Sequence, residues 1–442
     1  MRGLLASLRR SPMPAALLAY AVVRAAGVIG RPAGRFPDSE GWLILTWWGE
    51  NARLWPVPAL FTLAGSDGAR IATQFVLGTA AWVFLAVTLA ATSRFPRTIG
   101  LVTVAVGLTP QVTRWDLAIL SESLSITFTV AAVASTVRLV RGTGGLVPWI
   151  VAVSLVGLTR PTHVVVPVVI AAACVVIAVR SRGARLLLPA LAFTTVAAWG
   201  VALVDGNAAT SRLNVYTVIA NDVAPSDERW SWFVARGMPD VPGARDATGY
   251  DFAGALPGDV AAIVELPVGQ QPPALVRAGG VPLAEWVRDH GVSTLTRWIA
   301  THPADVLTTV ADRADATLSP PNDDFLPLET RHIWPRDLFG PWQVWAGAWG
   351  AALLVALLRG RAGREVRAIA AMAVAVAAVH LVAMSYSGIE HQRHAATVAA
   401  AVRVVALASL ALALPRRDTG RPTDDDDVSG DGTSRGGRGA RT

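Results

Sequence analysis

The chain has no lysine and a single cysteine, Cys174. One cysteine excludes an intramolecular disulfide, and its apolar surroundings read as a small packing or lipid-facing position. Charge is also scarce: 16% of the 442 residues are charged, while 52% are hydrophobic. Soluble domains are about a quarter charged. With a mean hydropathy of +0.44, the chain therefore reads as a polytopic membrane protein. Also missing are a P-loop, a His-Glu-x-x-His helix and a Gly-x-Ser-x-Gly elbow. Gly142-Thr143-Gly144-Gly145 has no lysine after it, so a phosphate cradle is not expected there. Nothing supports a nucleotide-driven motor.

All 39 basic residues are arginine. Together with abundant Ala, Val and Gly, this reads as the compositional bias of a GC-rich bacterial genome. The net charge of +7 is explained by arginines in short loops between apolar runs, the positive-inside pattern. Nucleic acid is accordingly not an expected partner.

Runs of roughly 17–25 apolar residues mark membrane-spanning helices. About ten occur, near 13–30, 70–92, 98–113, 122–139, 146–159, 162–180, 186–205, 341–358, 367–386 and 394–414. The stretch 146–180 would be ~52 Å long as one helix, far beyond a ~30 Å hydrocarbon core. Arg160-Pro161 breaks it in the middle, giving two spans. The arginines support two crossings. Arg9 and Arg10, Arg94 and Arg97, Arg138 and Arg141, Arg180 to Arg185, Arg359 to Arg367, and Arg416 and Arg417 then all lie on one side. That side is cytoplasmic and holds both termini, in a bacterial plasma membrane. The N-terminus is expected to be an uncleaved first helix, because Arg24 interrupts its apolar core and no small-residue cleavage site follows.

The expected fold is an all-α polytopic membrane protein with interfacial helices in the first outer loop. Residues 1–205 form an N-terminal transmembrane module with the catalytic outer loops, and 206–340 a mainly helical extracytoplasmic segment. Residues 341–414 form the C-terminal transmembrane helices, and 415–442 a disordered cytoplasmic tail. Within 206–340, helices are expected around 282–299 and from Pro303, since proline suits a first helical turn. The run Asp424 to Asp427 reads as part of a solvated tail.

This topology gathers polar residues on the outer face from four separate loops. Asp38, Ser39 and Glu40 follow the first span; Arg114, Asp116 and Glu122 lie around the third to fourth spans; Arg160 and His163 sit at the hairpin tip. The last outer loop adds Tyr386, Glu390, His391, Arg393 and His394. Helix capping alone could account for Asp38, Ser39, Glu40 and Glu122, and Arg160 could simply snorkel. Arg24 and His380, in apolar surroundings, are expected to pair inside the bundle, because an intramembrane charge costs ~3 kcal/mol on insertion scales.

Pro37-Asp38-Ser39-Glu40-Gly41-Trp42 resembles the first-loop acidic motif of the GT-C superfamily, polytopic glycosyltransferases that take sugars from polyprenyl-phosphate carriers. Leu120-Ser121-Glu122-Ser123-Leu124 is similar to a later segment of that family, and Leu158-Thr159-Arg160-Pro161 to its Arg-Pro hairpin. Glu390-His391-Gln392-Arg393 resembles its final-loop segment. The resemblance implies an inverting transferase working on an extracytoplasmic glycan or lipid acceptor. In that chemistry a carboxylate deprotonates the acceptor hydroxyl and cations stabilise the departing phosphate.

Asp38 is the candidate base, with Glu40 and Glu122 as supporting acids. Arg160, His163, Glu390, His391 and Arg393 are candidate substrate-binding residues, the two arginines for the lipid phosphate. The expected partners are a polyprenyl-phosphate sugar donor, a glycan or lipid acceptor, and membrane lipids. No cofactor is assigned; a divalent metal ion bridging carboxylates and phosphate is compatible with the acids, and its ligands are left open. Trp230, Trp232, Trp286 and Trp298 are candidates for binding the acceptor or covering the site. The readings from other classes are a transporter or flippase of a lipid-linked substrate and a non-catalytic membrane scaffold.

Overall fold

The computed structural model describes residues 12–36, 39–47, 53–181, 184–206, 215–216, 218–240, 245, 280–319, 338–359, 364–386 and 391–415. Among them the chain is all-helical, with isolated bridges and no strand.

The N-terminal part begins with α1 (Pro12–Val28), the short α2 (Ser39–Leu43) and α3 (Pro56–Ala64), then the long α4 (Asp67–Thr92). Helices α5 (Pro96–Gly107), α6 (Glu122–Val140), α7 (Leu146–Gly157), α8 (Val165–Ser181) and α9 (Leu187–Gly206) follow. Local chemistry sets these limits. Ser66 caps α4 by accepting from the Ala69 amide at 3.3 Å. Proline opens α3 and α5, where its missing N–H is no loss. Gly142, at φ 67°, turns the chain after α6, and the Thr143 and Gly144 amides close back on the Arg138 carbonyl.

The break between α7 and α8 falls where expected. Proline at 161 restricts its predecessor to extended backbone, and Arg160 lies at φ −149°, ψ 147°. A 3-10 turn, Pro161–Val164, then leads into α8.

The later part holds α10 (Asp227–Val234), α11 (Val292–Thr301), α12 (Pro303–Asp312) and α13 (Ala314–Leu318). It ends in α14 (Trp342–Leu358), α15 (Arg364–Ser385) and α16 (His391–Ala413). A helix thus occupies each of the ten apolar intervals. Among the described residues five apolar helical stretches reach 18 or more residues, long enough to cross a membrane, and five others, Ile369–Ser385 within α15 among them, are 10–17 residues.

Helix α16 is the centre of the bundle, packed against α6, α14 and α15. Its apolar window Ala395–Ala413 is 78% buried, against 33% for Ala184–Leu203. Alanine makes this enclosure feasible: Ala396, Ala399, Ala400, Ala406, Ala408 and Ala411 let neighbouring backbones come close. Within α16, Arg403 is fully buried and stacks on Phe339. Its guanidinium donates to the carbonyls of Phe339, Gly340 and Leu318, outside α16. Irregular backbone is tolerated at such depth only when its polar groups find protein partners. Arg403 provides them.

A second core joins the pieces between α9 and α14: Tyr216, Trp230, Phe233, Trp286 and Trp298 pack together. Trp298 donates to Asp305 and stacks on His302, and Trp230 donates to Asp240. Trp230, Trp286 and Trp298 are buried. Their faces are therefore used inside this core rather than offered to a sugar. Only Trp232 is partly exposed, and Arg236 lies 3.4 Å over its ring. The tail after residue 415 lies outside the described residues.

Candidate functional site

The loop after α1 and the strip leading into α6 meet directly. Gly34 donates its amide to the Leu117 carbonyl at 2.8 Å and accepts from the Ile119 amide at 2.9 Å. Gln74 of α4 holds the same strip from the other side, donating to the carbonyls of Asp116 and Ala118. The chain just before position 38 and the turn just before Glu122 therefore share one end of the bundle. Asp38 and Glu390 lie outside the described residues, and of His391 only the backbone, opening α16, is described.

Two buried ionic groups sit at this end. In the first, Arg24 of α1 grips Asp116 with Nε at 2.9 Å and Nη2 at 3.0 Å, while its Nη1 donates to Tyr20 at 2.7 Å. Ser123 donates a further 2.6 Å bond to Asp116 Oδ1. Gly78 makes room for the guanidinium: a Cβ there would lie 2.3 Å from Arg24 Nη2. Arg24 thus pairs inside the bundle, as its apolar setting demands.

The second group is centred on Glu122, in the first turn of α6 and fully buried. Its Oε1 accepts from Arg160 Nη1 at 3.1 Å and from Arg393 Nε at 2.5 Å. Those arginines come from the hairpin after α7 and from the first turn of α16. Both are buried, at 6% and 4% exposure. The other carboxylate oxygen, Oε2, has no hydrogen-bond partner among the described residues. His163 follows one turn after Arg160, its amide donating to the Arg160 carbonyl.

The structure therefore brings Glu122, Arg160 and Arg393 into contact, with His163 beside them. Glu40 is apart: its side chain is 69% exposed and pairs with Arg35 at 2.7 Å. Arg35 also bonds Asp67 at the start of α4, so Glu40 belongs to a surface chain of charges. His380, expected to pair within the bundle, stands edge-on to the His163 ring at 4.9 Å. Beside the hairpin, Trp47 stacks on Trp55 and on Trp199, and Trp55 and Trp199 are tilted to each other, with all centroids 5.9–6.4 Å apart. Those three indoles were not singled out from sequence; a Trp-rich stretch following a candidate acidic loop is the signal that marks two of them.

Further along the chain the segment after α9 is tied to α15. Asp222 pairs with Arg313, and Arg313 also donates to the Ser385 carbonyl at the end of α15. Arg229 bonds Asp305 at 2.6 Å and the Asp222 carbonyl at 3.0 Å. Burial pushes the Asp222 carboxyl above its ordinary range, against the opposing pull of Arg313 and Arg229.

Among the described residues no group of three or more His, Cys, Asp or Glu is gathered closely enough to hold a metal ion. Comparison with family models, with curated proteins and with solved structures gives no match for this chain.

Proposed function

We propose that the protein is a membrane glycosyltransferase of GT-C type, moving a sugar from a polyprenyl-phosphate donor to an extracytoplasmic glycan or lipid acceptor with inversion. In this reading the ten helices each cross the bilayer, both termini are cytoplasmic, and the Glu122 end of the bundle faces outward. The observation that carries it is the meeting of Arg160 and Arg393, 233 residues apart in sequence, on one oxygen of Glu122.

The geometry suggests a division of labour. A lipid-linked phosphate is a doubly useful handle: it anchors the donor and is the leaving group. Guanidinium groups match its oxygens in a planar fork. Their own repulsion must first be overcome, and Glu122 does this by holding both in a buried site where electrostatic forces are strong. Glu122 is then a positioning acid for the cations. The base role stays with Asp38, four residues past the Gly34 backbone pairing that brings the first loop beside α6. The acceptor oxygen gives up its proton to that carboxylate as it bonds the anomeric carbon. The bond between that carbon and the phosphate oxygen breaks, and the phosphate leaves as an anion stabilised by the arginines.

The test is transfer of radiolabelled sugar from a polyprenyl-phosphate donor by the full chain in lipid vesicles. Asp38→Ala, Glu122→Gln and Arg393→Ala are each expected to lose on the order of 10²–10³-fold in rate. Full transfer by both the Asp38 and Glu122 variants would overturn the assignment. Uphill movement of a lipid-linked substrate without sugar transfer would replace it with a transporter.

A further inference from the structure

Below the Glu122 group lies a half-open cavity of about 150 Å³, lined by α6, α7, α8, α14, α15 and α16. Along α16 it extends from Thr397 to Ala408, ~16 Å at 1.5 Å per residue. Most of its wall is Val, Ala, Ile and Met. Its polar lining is unusual. The atoms His163 Nε2, His380 Nε2, Thr397 Oγ1 and Trp349 Nε1 are all buried without a hydrogen-bond partner among the described residues, and all four residues line this one space. Native proteins leave few buried polar groups unsatisfied, and each is costly. Four around one cavity call for an occupant with polar atoms of its own.

The hydrogen-bond logic identifies its type. Thr159 Oγ1 lies 2.7 Å from the Val156 carbonyl, which can only accept. The single hydroxyl proton of Thr159 is therefore committed there. Its contact with His163 Nδ1 at 2.9 Å must then be donated by the ring. With the proton on Nδ1, a neutral His163 presents a bare acceptor at Nε2. Trp349 Nε1 can only donate. An occupant that satisfies both must donate one bond and accept another, as a hydroxyl does. A phosphate ester dianion would leave His163 Nε2 facing an acceptor, and a pure hydrocarbon would satisfy neither. Thr397 lies one turn below Arg393 on the same face of α16, and His163 one turn past Arg160, so this polar collar sits beneath the two arginines.

We propose that the cavity binds a hydroxyl-bearing amphiphile, its hydroxyl in the collar of His163, Trp349, Thr397 and His380 and its hydrocarbon part along the apolar wall toward Ala408. If the transferase reading above holds, this occupant is the acceptor, a bilayer-dissolved alcohol rather than a soluble glycan; that last step rests on the reading, whereas the binding site does not.

The experiment compares binding of radiolabelled 1-octanol, octane and octyl phosphate to the full chain in lipid nanodiscs, with empty discs subtracted. Saturable 1-octanol binding at least tenfold tighter than octane is expected, which is ~1.4 kcal/mol. Thr397→Val and His163→Phe should reduce that preference to within threefold, and Ala401→Phe, which fills the cavity, should abolish binding of both ligands. Equal binding of 1-octanol and octane, or no saturable binding of either (a cavity holding only water), would overturn the proposal. So would octyl phosphate binding tighter than 1-octanol in a way lost in Arg393→Ala. Absence of sugar transfer alongside intact, variant-sensitive octanol binding would sink the transferase and leave the site standing.

Discussion

The Arg24–Asp116 pair and the Glu122 group lie at the same end of the bundle and are equally buried, yet they are built differently. Asp116 meets one arginine with both oxygens and receives Ser123 as well, so each carboxylate oxygen is engaged. Glu122 meets two arginines with one oxygen, and its other oxygen has no partner among the described residues. The first arrangement is closed, charge against charge, and suits fastening α1 to the strip before α6. The second holds two cations in place around one acid. Burial alone therefore does not mark a site; the way the charges are shared does.

The contrast can be broken most forcefully by removing one partner at a time. Asp116→Leu leaves Arg24 buried and uncompensated, and a loss of about 3–5 kcal/mol in stability is expected. Replacing both, Arg24→Met with Asp116→Leu, should restore most of it and keep sugar transfer, because an apolar pair fills the same space. The matching double change in the Glu122 group, Glu122→Gln with Arg393→Gln, should fold but stay inactive. Thermal unfolding in detergent, read beside transfer rate, checks all three variants. If the Arg24/Asp116 double variant folds well but transfers nothing, that pair belongs to the site and the distinction fails.

A smaller change sharpens the same point. Gly78→Ala pushes a methyl group into the Arg24 guanidinium, and an overpacking cost of about 1–3 kcal/mol is expected. Transfer rate should be nearly unchanged at temperatures where the variant stays folded. A rate loss exceeding the stability loss would show that Arg24 is coupled to the chemistry.

Much of this was legible in sequence, and the physical reasons for the remainder are specific. Hydropathy located a helix in every apolar interval because burying a backbone in lipid demands that its own hydrogen bonds be made. The Arg160-Pro161 break follows from steric limits on one dihedral pair. The convergence of Glu122, Arg160 and Arg393 was readable only as a shared face, since their contact depends on how α6 and α16 are rotated. Asp116 read as one more outer acid because its partner, 92 residues away, follows no periodicity. Trp349 and Thr397 look like ordinary helix residues until packing strands their polar atoms together. Trp230, Trp286 and Trp298 misled for a related reason: an indole that stacks on sugars and one that fills a core are the same residue in a sequence.

The least pronounced effect concerns Asp222, which repeats the Glu122 ratio of one acid to two arginines where the outer segment meets the end of α15. Here burial outweighs the arginines, and the carboxyl binds its proton more tightly folded than unfolded, above the ordinary 3.8. The stability it contributes is thus fully present below 3.8 and is lost as pH rises through the folded pKa. Hydrogen exchange of 219–234 and 303–312 should accordingly slow on acidification relative to an Asp222→Asn variant, whose side chain does not titrate. Faster exchange in acid, abolished by the same substitution, would mean that Arg313 and Arg229 dominate. The junction would then favour its charged form, and sharing one carboxylate between two guanidiniums would no longer separate a docking contact from a candidate site.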